Sequence, residues 1–309
     1  MPLPTITQHS AGGVVYRRTS HGFQVVLIAT QNRRVWGLPK GGMRIGETPL
    51  NTALRTVHEE TGIRAMAGPI IDQSEYWYEG VYEGKQVRFH KCVDYHFMRA
   101  LTYALQPDSW EIDDAVWLPI DVAQVRATHA AERDILSRAR ALLHSPGGET
   151  RFLPPLLAHL LSDLPANALA ALAETDVWAD DSVYAIVAVP ADSRDSFLTS
   201  LGKAKHLVTI DDGDEFTVVI PESLLDNLPP LLARTFQVEY GYRFVRLEAT
   251  LPWDTVGYGA AIFAALASAG LSAGFYSGYS IDYLLVRDAD LSVALAALET
   301  VIEQAQRQP

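Results

Sequence analysis

Cys92 is the only cysteine in this 309-residue chain. A disulfide framework is therefore excluded, and the composition suits a reducing, cytoplasmic setting, with Cys92 itself read as a buried, inert thiol. Basic side chains are also scarce: 25 Lys and Arg face 37 Asp and Glu, for a formal net charge of −12. An extended surface for a nucleic acid polymer needs the opposite balance. A small phosphorylated molecule, held by a local basic cluster or by a metal, remains compatible with it. Long apolar runs are missing too. The longest, near "YGAAIFAALASAGL", is shorter than the roughly 20 residues a membrane-spanning helix needs. The opening "MPLPTITQHSAGGVVY" lacks the basic head and apolar run of a signal peptide. These absences predict a soluble protein with no membrane partner. What is present is ordinary: 48% hydrophobic and 20% charged residues, at a length comfortable for two domains.

Periodicity supplies the elements. "GGVVYRR" and "FQVVLIAT" read as strands around a turn at Ser20–Gly22, and "AMAGPIIDQSEYWYEG" with "KQVRFHKCVDYHFMRAL" as a long aromatic hairpin turning near Gly80 and Gly84. "DDAVWLPIDVA" gives a further strand and "THAAERDILSRARALL" an amphipathic helix. The fold class is α/β (α+β). Glycine and proline accumulate near "HSPGGETRFLPP", which marks a junction. The expected division is residues 1–147, a helical linker over 148–179, and a second region over 180–309. In that region "SVYAIVAVP", "KHLVTIDD", "EFTVVIP", "YRFVRLEATLP", "LSAGFYSGY" and "IDYLLVRD" read as strands, with helices at "GYGAAIFAALASAG" and "LSVALAALETVIEQ".

Chemistry concentrates in "WGLPKGGMRIGETPLNTALRTVHEETGI". On a helix, Thr56, Glu59 and Glu60 project from one face, since residues three and four apart are neighbours there. Adjacent carboxylates facing a common cavity repel one another unless a cation neutralises them. Hard oxygen ligands suit Mg²⁺ or Mn²⁺, and Gly41 offers a backbone carbonyl to the same ion. An exposed acidic helix end is the alternative. His58, His90 and His96 lack metal-ligand spacing and read as ordinary helix and strand residues.

The stretch resembles the Nudix box, G-x5-E-x7-R-E-U-x-E-E-x-G-U, with Gly41, Glu47, Arg55, Val57, Glu59, Glu60, Gly62 and Ile63 at matching positions. The resemblance implies an α/β/α sandwich with a mixed sheet. It also implies divalent-metal-dependent hydrolysis of the pyrophosphate bond in a nucleoside diphosphate linked to another moiety. Glu59 and Glu60 then hold metal, Arg55 orients the carboxylates and Glu47 braces the loop. One position departs: Thr56 stands where the family carries a Glu. Many relatives draw a further Glu from a loop before the last strand, and Glu111 in "PDSWEIDDAVWLP" is the candidate ligand or general base, with a solvated acidic turn as the alternative. Arg33, Arg34 and Lys40 are candidates for phosphate contacts. Trp36, Tyr76 and Trp77 are candidates for base stacking, with core or hairpin packing as the alternative.

The second region resembles tandem ACT ligand-binding modules, ferredoxin-like α/β sandwich repeats. The second repeat carries "PWDTVGYG" and "SAGLSAGFYSGYSIDYLLV"; the first, around "SVYAIVAVPADSRDSFLTSLG", is more divergent. The resemblance implies a small amino-acid effector at the loop Asp254, Thr255, Val256 and Gly257, where a helix N-terminus favours a carboxylate and Asp254 an ammonium. Asp254 or Thr255 simply capping that helix is the alternative. A metal-dependent hydrolase regulated through the ACT part is the leading expectation, and a homodimer is a candidate assembly. The runner-up is a catalytically impaired nucleotide sensor with an amino-acid-binding module. A third reading keeps the ACT part only as a dimerisation element.

Overall fold

The computed structural model describes residues 3–145, 154–202, 208–227 and 236–308. Two units separate by their contacts: residues 1–164 with 259–270, and residues 165–258 with 271–309. The junction stretch "HSPGGETRFLPP" falls largely outside the described residues.

The first unit is built on a mixed sheet. β1 (Thr5–Thr19) pairs antiparallel with β2 (Gly22–Thr30) and parallel with β6 (Lys85–Ala100), and β6 continues the hairpin from β5 (Ala65–Tyr82). β3 (Val35–Gly37) and β7 (Asp114–Pro119) flank β2, while the short β4 (Lys40–Gly42) pairs with β1 at Ser10–Gly12. Alternation along β1 sends Val14 and Tyr16 to one face and Ala11 and Val15 to the other. On the first face α2 (Ile120–Arg126) and α3 (Ala130–Leu143) contribute Ile120, Ala123, Ile135 and Leu136 to a core with Tyr95 and Phe97. On the second, α1 (Pro49–Thr61) buries Ala53 and Val57 against Ala11, Val26 and Met98. A sheet covered on both faces by helices is the expected sandwich.

α1 begins where its sequence says it should. Thr48 caps it by accepting the Asn51 N–H at 3.2 Å, and Pro49 occupies the first turn, where its missing N–H costs nothing. It ends at Gly62, left-handed at φ 76°.

The second unit carries one antiparallel sheet in the order β10-β11-β9-β12-β14-β13, with β8 on β12. The strands are β8 (Asp176–Ala179), β9 (Tyr184–Pro190), β10 (Val208–Asp211), β11 (Glu215–Pro221), β12 (Gln237–Glu248), β13 (Gly274–Ser277) and β14 (Asp282–Arg287). The order repeats about the β9–β12 seam, so two strand triplets stand side by side with their first strands joined. Helices α4 (Pro155–Asp163) and α5 (Ala166–Ala173) occupy the stretch expected to be a linker. β8, at the end of that same stretch, instead joins the sheet. One face of the sheet packs Val187, Phe216 and Val218 on Phe197; the other gathers Tyr184, Phe244, Val219 and Leu285. No helix among the described residues is long and apolar enough to cross a membrane.

Candidate active site

Arg55 organises the loop before α1. Its guanidinium donates to both Glu47 oxygens (2.6 and 2.8 Å), to Glu59 Oε2 (2.9 Å) and to the Gly42 carbonyl (2.9 Å). Glu47 also accepts the Arg44 N–H and the Thr52 hydroxyl. The Arg55 hydrogen bonds, with the Arg44 N–H, hold the Glu47 carboxyl well below the usual carboxylate range. This is a fork-shaped cation clamping two carboxylates in fixed orientations.

Glu60 stands in a different environment. Its Oε2 accepts the Lys40 N–H at 2.8 Å, and the side chain is half-buried. Burial pushes its pKa up to about 7 against the lowering effects of Lys40, and the negative charges of Glu111 and Glu59 add to the rise. Glu111 lies on an exposed turn, yet is close enough to raise Glu60 and to act on Lys91. The backbone explains how the turn arrives. Gln106 and Asp108 donate their N–H groups to the Thr61 and Glu59 carbonyls, which draws the loop along the end of α1. Gly62 permits this, because a Cβ there would lie 2.6 Å from the Gln106 carbonyl oxygen.

Lys40 spans the site. Its backbone meets Glu60, and its ammonium pairs with Glu132 Oε1 at 2.6 Å. Glu132, on α3, is 3% exposed; Tyr95 also donates to it at 3.2 Å, while its Oε2 is buried with no partner. Lys91, half-buried on β6, has its pKa lowered by burial and by Lys40, while Glu60 and Glu111 oppose that.

Glu132 and Lys91 escape the sequence reading, though each leaves a signal. Glu132 falls on the apolar stripe of α3 with Ile135, Leu136, Ala139 and Leu143. Lys91 interrupts the inward series Val87, Phe89, Val93 and Tyr95. A charge on a buried face needs a partner.

Thr56 does not share an open face with the glutamates. It is 3% exposed and turned to the sheet, its hydroxyl donating to the Thr52 carbonyl (2.7 Å) and the Ala11 carbonyl (3.2 Å). Its Cγ2 sits where a Cβ on Gly41 would have to be, at 2.3 Å, so Gly41 is fixed by close approach. Glu59 is engaged by Arg55 (2.9 Å) and by Arg44 (3.0 Å).

Of the remaining candidates, Tyr76 lies close enough to Lys40 and Glu132 to feel their charges, its pKa raised first by burial. Trp36 is 8% exposed within the core, with Arg126 3.9 Å from its ring centroid, which accounts for it by packing alone. Arg33 and Arg34 are exposed, and Arg33 engages Asp113 through its backbone and Asp114 through its side chain. Trp77 stacks on His90 at 4.1 Å, leaving Tyr76 40% exposed. Cys92 is half-buried rather than in the core. With Glu75 and His90 it forms the one group of three potential metal-ligating atoms within 4.8 Å found among the described residues. His90 is there already committed to Glu75 (3.1 Å) and to the Trp77 stack. In the second unit, Asp254 and Val256 are exposed, Thr255 and Gly257 half-buried, and the buried Thr255 hydroxyl has no partner.

The donor chemistry fits a hard divalent cation. Glu60 is a partly buried carboxylate raised toward neutrality first by burial and then by the charges of Glu111 and Glu59, a setting in which a cation would favour the ionised form.

Residues 7–139 match the model of the NUDIX domain, and residues 237–300 that of the ACT domain. A Mycobacterium tuberculosis protein named as a candidate mutator protein, MutT4, is 34% identical over 163 residues, 50% of this chain and 63% of its own length. An 8-oxo-(d)GTP phosphatase of Mycolicibacterium smegmatis is 31% identical over 141 residues, 43% of this chain and 41% of that protein. The chain thus spans less than two thirds of either relative. The solved structure of a C. elegans Ap4A hydrolase binary complex aligns with 44% of this chain and 97% of its own, at 23% identity and a TM-score of 0.36. The chain is thus similar to the NUDIX domain over residues 7–139 and to the ACT domain over residues 237–300.

Proposed function

We propose that the first unit is a pyrophosphohydrolase acting on a nucleoside diphosphate linked to another moiety. The observation that carries this reading is the constellation around Glu60: a carboxyl held near pKa 7 beside Glu111, with Lys40 and Lys91 on hand. Glu59, Glu60 and Glu111, with the Gly41 carbonyl, would hold the divalent ion, Mg²⁺ or Mn²⁺. When bound, the ion supplies neutralisation of phosphate charge. Arg55 and Glu47 keep Glu59 oriented. Lys40, anchored by Glu132, and Lys91 present ammonium groups to phosphate oxygens. Glu60 or Glu111 accepts the proton of the attacking water. The relative named an 8-oxo-(d)GTP phosphatase supports a phosphorylated nucleoside as the substrate class.

The test is product release by the full chain from 8-oxo-dGTP, nucleoside triphosphates, dinucleoside polyphosphates and nucleotide sugars, with Mg²⁺, Mn²⁺ or EDTA. Turnover of any of these that EDTA abolishes supports the reading; none with either metal refutes it. Thr56, buried where the family pattern has a carboxylate, favours the second reading, a nucleotide sensor. Tight binding of a nucleotide without turnover identifies that case. In the same proposal the ACT part binds an amino-acid effector at Asp254–Gly257 and adjusts the rate, and an effector-dependent change in kcat or KM tests it.

A further inference from the structure

Strand alternation gives the β5–β6 hairpin two chemically different faces. Tyr76 and Lys91 stand opposite one another on the face that feels the charge of Lys40. The positions next to them point the other way, where Glu75 stands opposite Cys92 and Trp77 opposite His90. Three different donor atoms converge on this reverse face. The Cys92 sulfur is 3.6 Å from His90 Nε2, and that nitrogen is 3.1 Å from Glu75 Oε2. The ligand atoms of all three residues lie within 4.8 Å of one another.

These separations are close to the edges of a zinc tetrahedron. Bonds of about 2.3 Å to sulfur and about 2.0–2.1 Å to nitrogen and oxygen set S and N about 3.6 Å apart, and N and O about 3.3 Å apart. The donor types agree with the spacing. Thiolate, imidazole and carboxylate together suit borderline-soft Zn²⁺, whereas the all-oxygen surroundings of Glu60 suit a hard ion. Contacts already made by the three residues leave their ligand positions usable. Trp77 stacks on His90 at 4.1 Å with the rings 9° from parallel, so it holds the imidazole by its face, while ligation uses an in-plane nitrogen. The His90–Glu75 hydrogen bond joins two of the ligands to each other, and an ion takes the place of the shared proton. The cluster is reachable from solvent, with Glu75 60% exposed and His90 and Cys92 half-buried. The parallel register of β1 and β6 adds an exposed imidazole, His9, beside Cys92.

We propose that Glu75, His90 and Cys92 form a Zn²⁺ site on the reverse face of the hairpin, with the fourth position open to solvent. Binding releases the Cys92 thiol proton to solvent and leaves the thiolate on the metal. The ion would tie β5, at the end of the sheet order, to β6. It would therefore stabilise the strand pair that carries Tyr76 and Lys91 on its other side. The inference depends on neither the hydrolase reading nor the effector reading.

Absorption titration of the reduced full chain with Co²⁺, followed by displacement with Zn²⁺, tests it. One equivalent of Co²⁺ should give a thiolate-to-cobalt charge-transfer band together with the intense visible bands of a tetrahedral ion, and Zn²⁺ should bleach both. Cobalt at Glu60 cannot give the charge-transfer band, because Cys92 is the only cysteine in the chain. His90→Ala should weaken the affinity read from that band at least tenfold, and Glu75→Gln several-fold, with unchanged circular dichroism. Cys92→Ser should abolish the band, and Glu60→Gln should leave its midpoint where it was. Zn²⁺ should also raise the Tm of the wild type more than that of Cys92→Ser. The wild-type spectrum decides the matter even where a variant fails to fold. No charge-transfer band, or only the weak visible bands of octahedral cobalt, overturns the proposal. So does a band whose midpoint neither His90→Ala nor Glu75→Gln shifts, which would leave the metal on the cysteine alone.

Discussion

Replacing Glu60 by Gln in metal-free protein is expected to stabilise the first unit at pH 8 and to remove part of its pH dependence. Burial, with Glu111 and Glu59 nearby, raises the Glu60 pKa from 4.5 to about 7. A carboxyl that holds its proton more tightly folded than unfolded favours the fold fully below the unfolded pKa. That contribution is lost as pH rises through the folded pKa, because the folded state then binds more protons than the unfolded one across this window. The displacement corresponds to a ceiling of about 3 kcal/mol at ~1.36 kcal/mol per pKa unit. Glu60 is only half-buried, and solvent screening brings the expected effect to about 1–2 kcal/mol. The assay is calorimetric or urea unfolding of both proteins in EDTA between about pH 5 and pH 8, resolved for the first unit. The difference between the two proteins cancels the titration of other groups. It should grow in favour of the Gln variant across the range, and adding Mg²⁺ should stabilise the wild type more than the variant. A difference that stays flat with pH, or grows the other way, would show that Glu60 ionises without penalty and would refute the reasoning.

Four further outcomes follow from particular contacts. Arg55→Lys removes the fork that orients Glu47 and Glu59, so kcat should fall at least about tenfold with a smaller change in KM; steady-state kinetics decide it. Glu111→Gln should lower kcat by about 10²–10⁴ if Glu111 is the base, and a loss under tenfold would pass that role to Glu60. Glu132→Gln frees the Lys40 ammonium, so KM for a phosphorylated substrate should rise several-fold while kcat changes less; equal falls in both would contradict a positioning role. Thr56→Glu forces a larger, charged side chain against Gly41 and should cost about 1–3 kcal/mol of stability, seen as a lower Tm. A gain in metal affinity with no loss of Tm would show that the position accepts a ligand after all.

The helices, strands and loop of the first unit were readable because each has a local cause. Thr48 and Pro49 start α1, Gly62 stops it, and the alternation of β1 sorts its two faces. The clamp of Arg55 on Glu47 and Glu59 is what the Nudix resemblance implies, and it is local: both partners lie within eight residues of Arg55. Contacts across the fold were harder. The sequence leaves Trp36 two readings, base stacking or core packing; the end of α2 and the turn after it bring Arg126 and Thr128 to it and make it core.

The direction of a side chain on α1 was hardest of all. Helical spacing puts Thr56 and the two glutamates within reach of one another, but it cannot say which of them the sheet covers. Gly41 decides this: without a Cβ, β4 comes close enough for Thr56 to fill the gap and hydrogen-bond to Ala11 on β1. The same closeness puts the Lys40 N–H on Glu60 and its ammonium on Glu132, 92 residues further along the chain. A single residue thereby links the raised pKa of one carboxyl to the burial of another. No periodicity in the sequence encodes that link, because it depends on how α1 and α3 pack on opposite faces of one sheet.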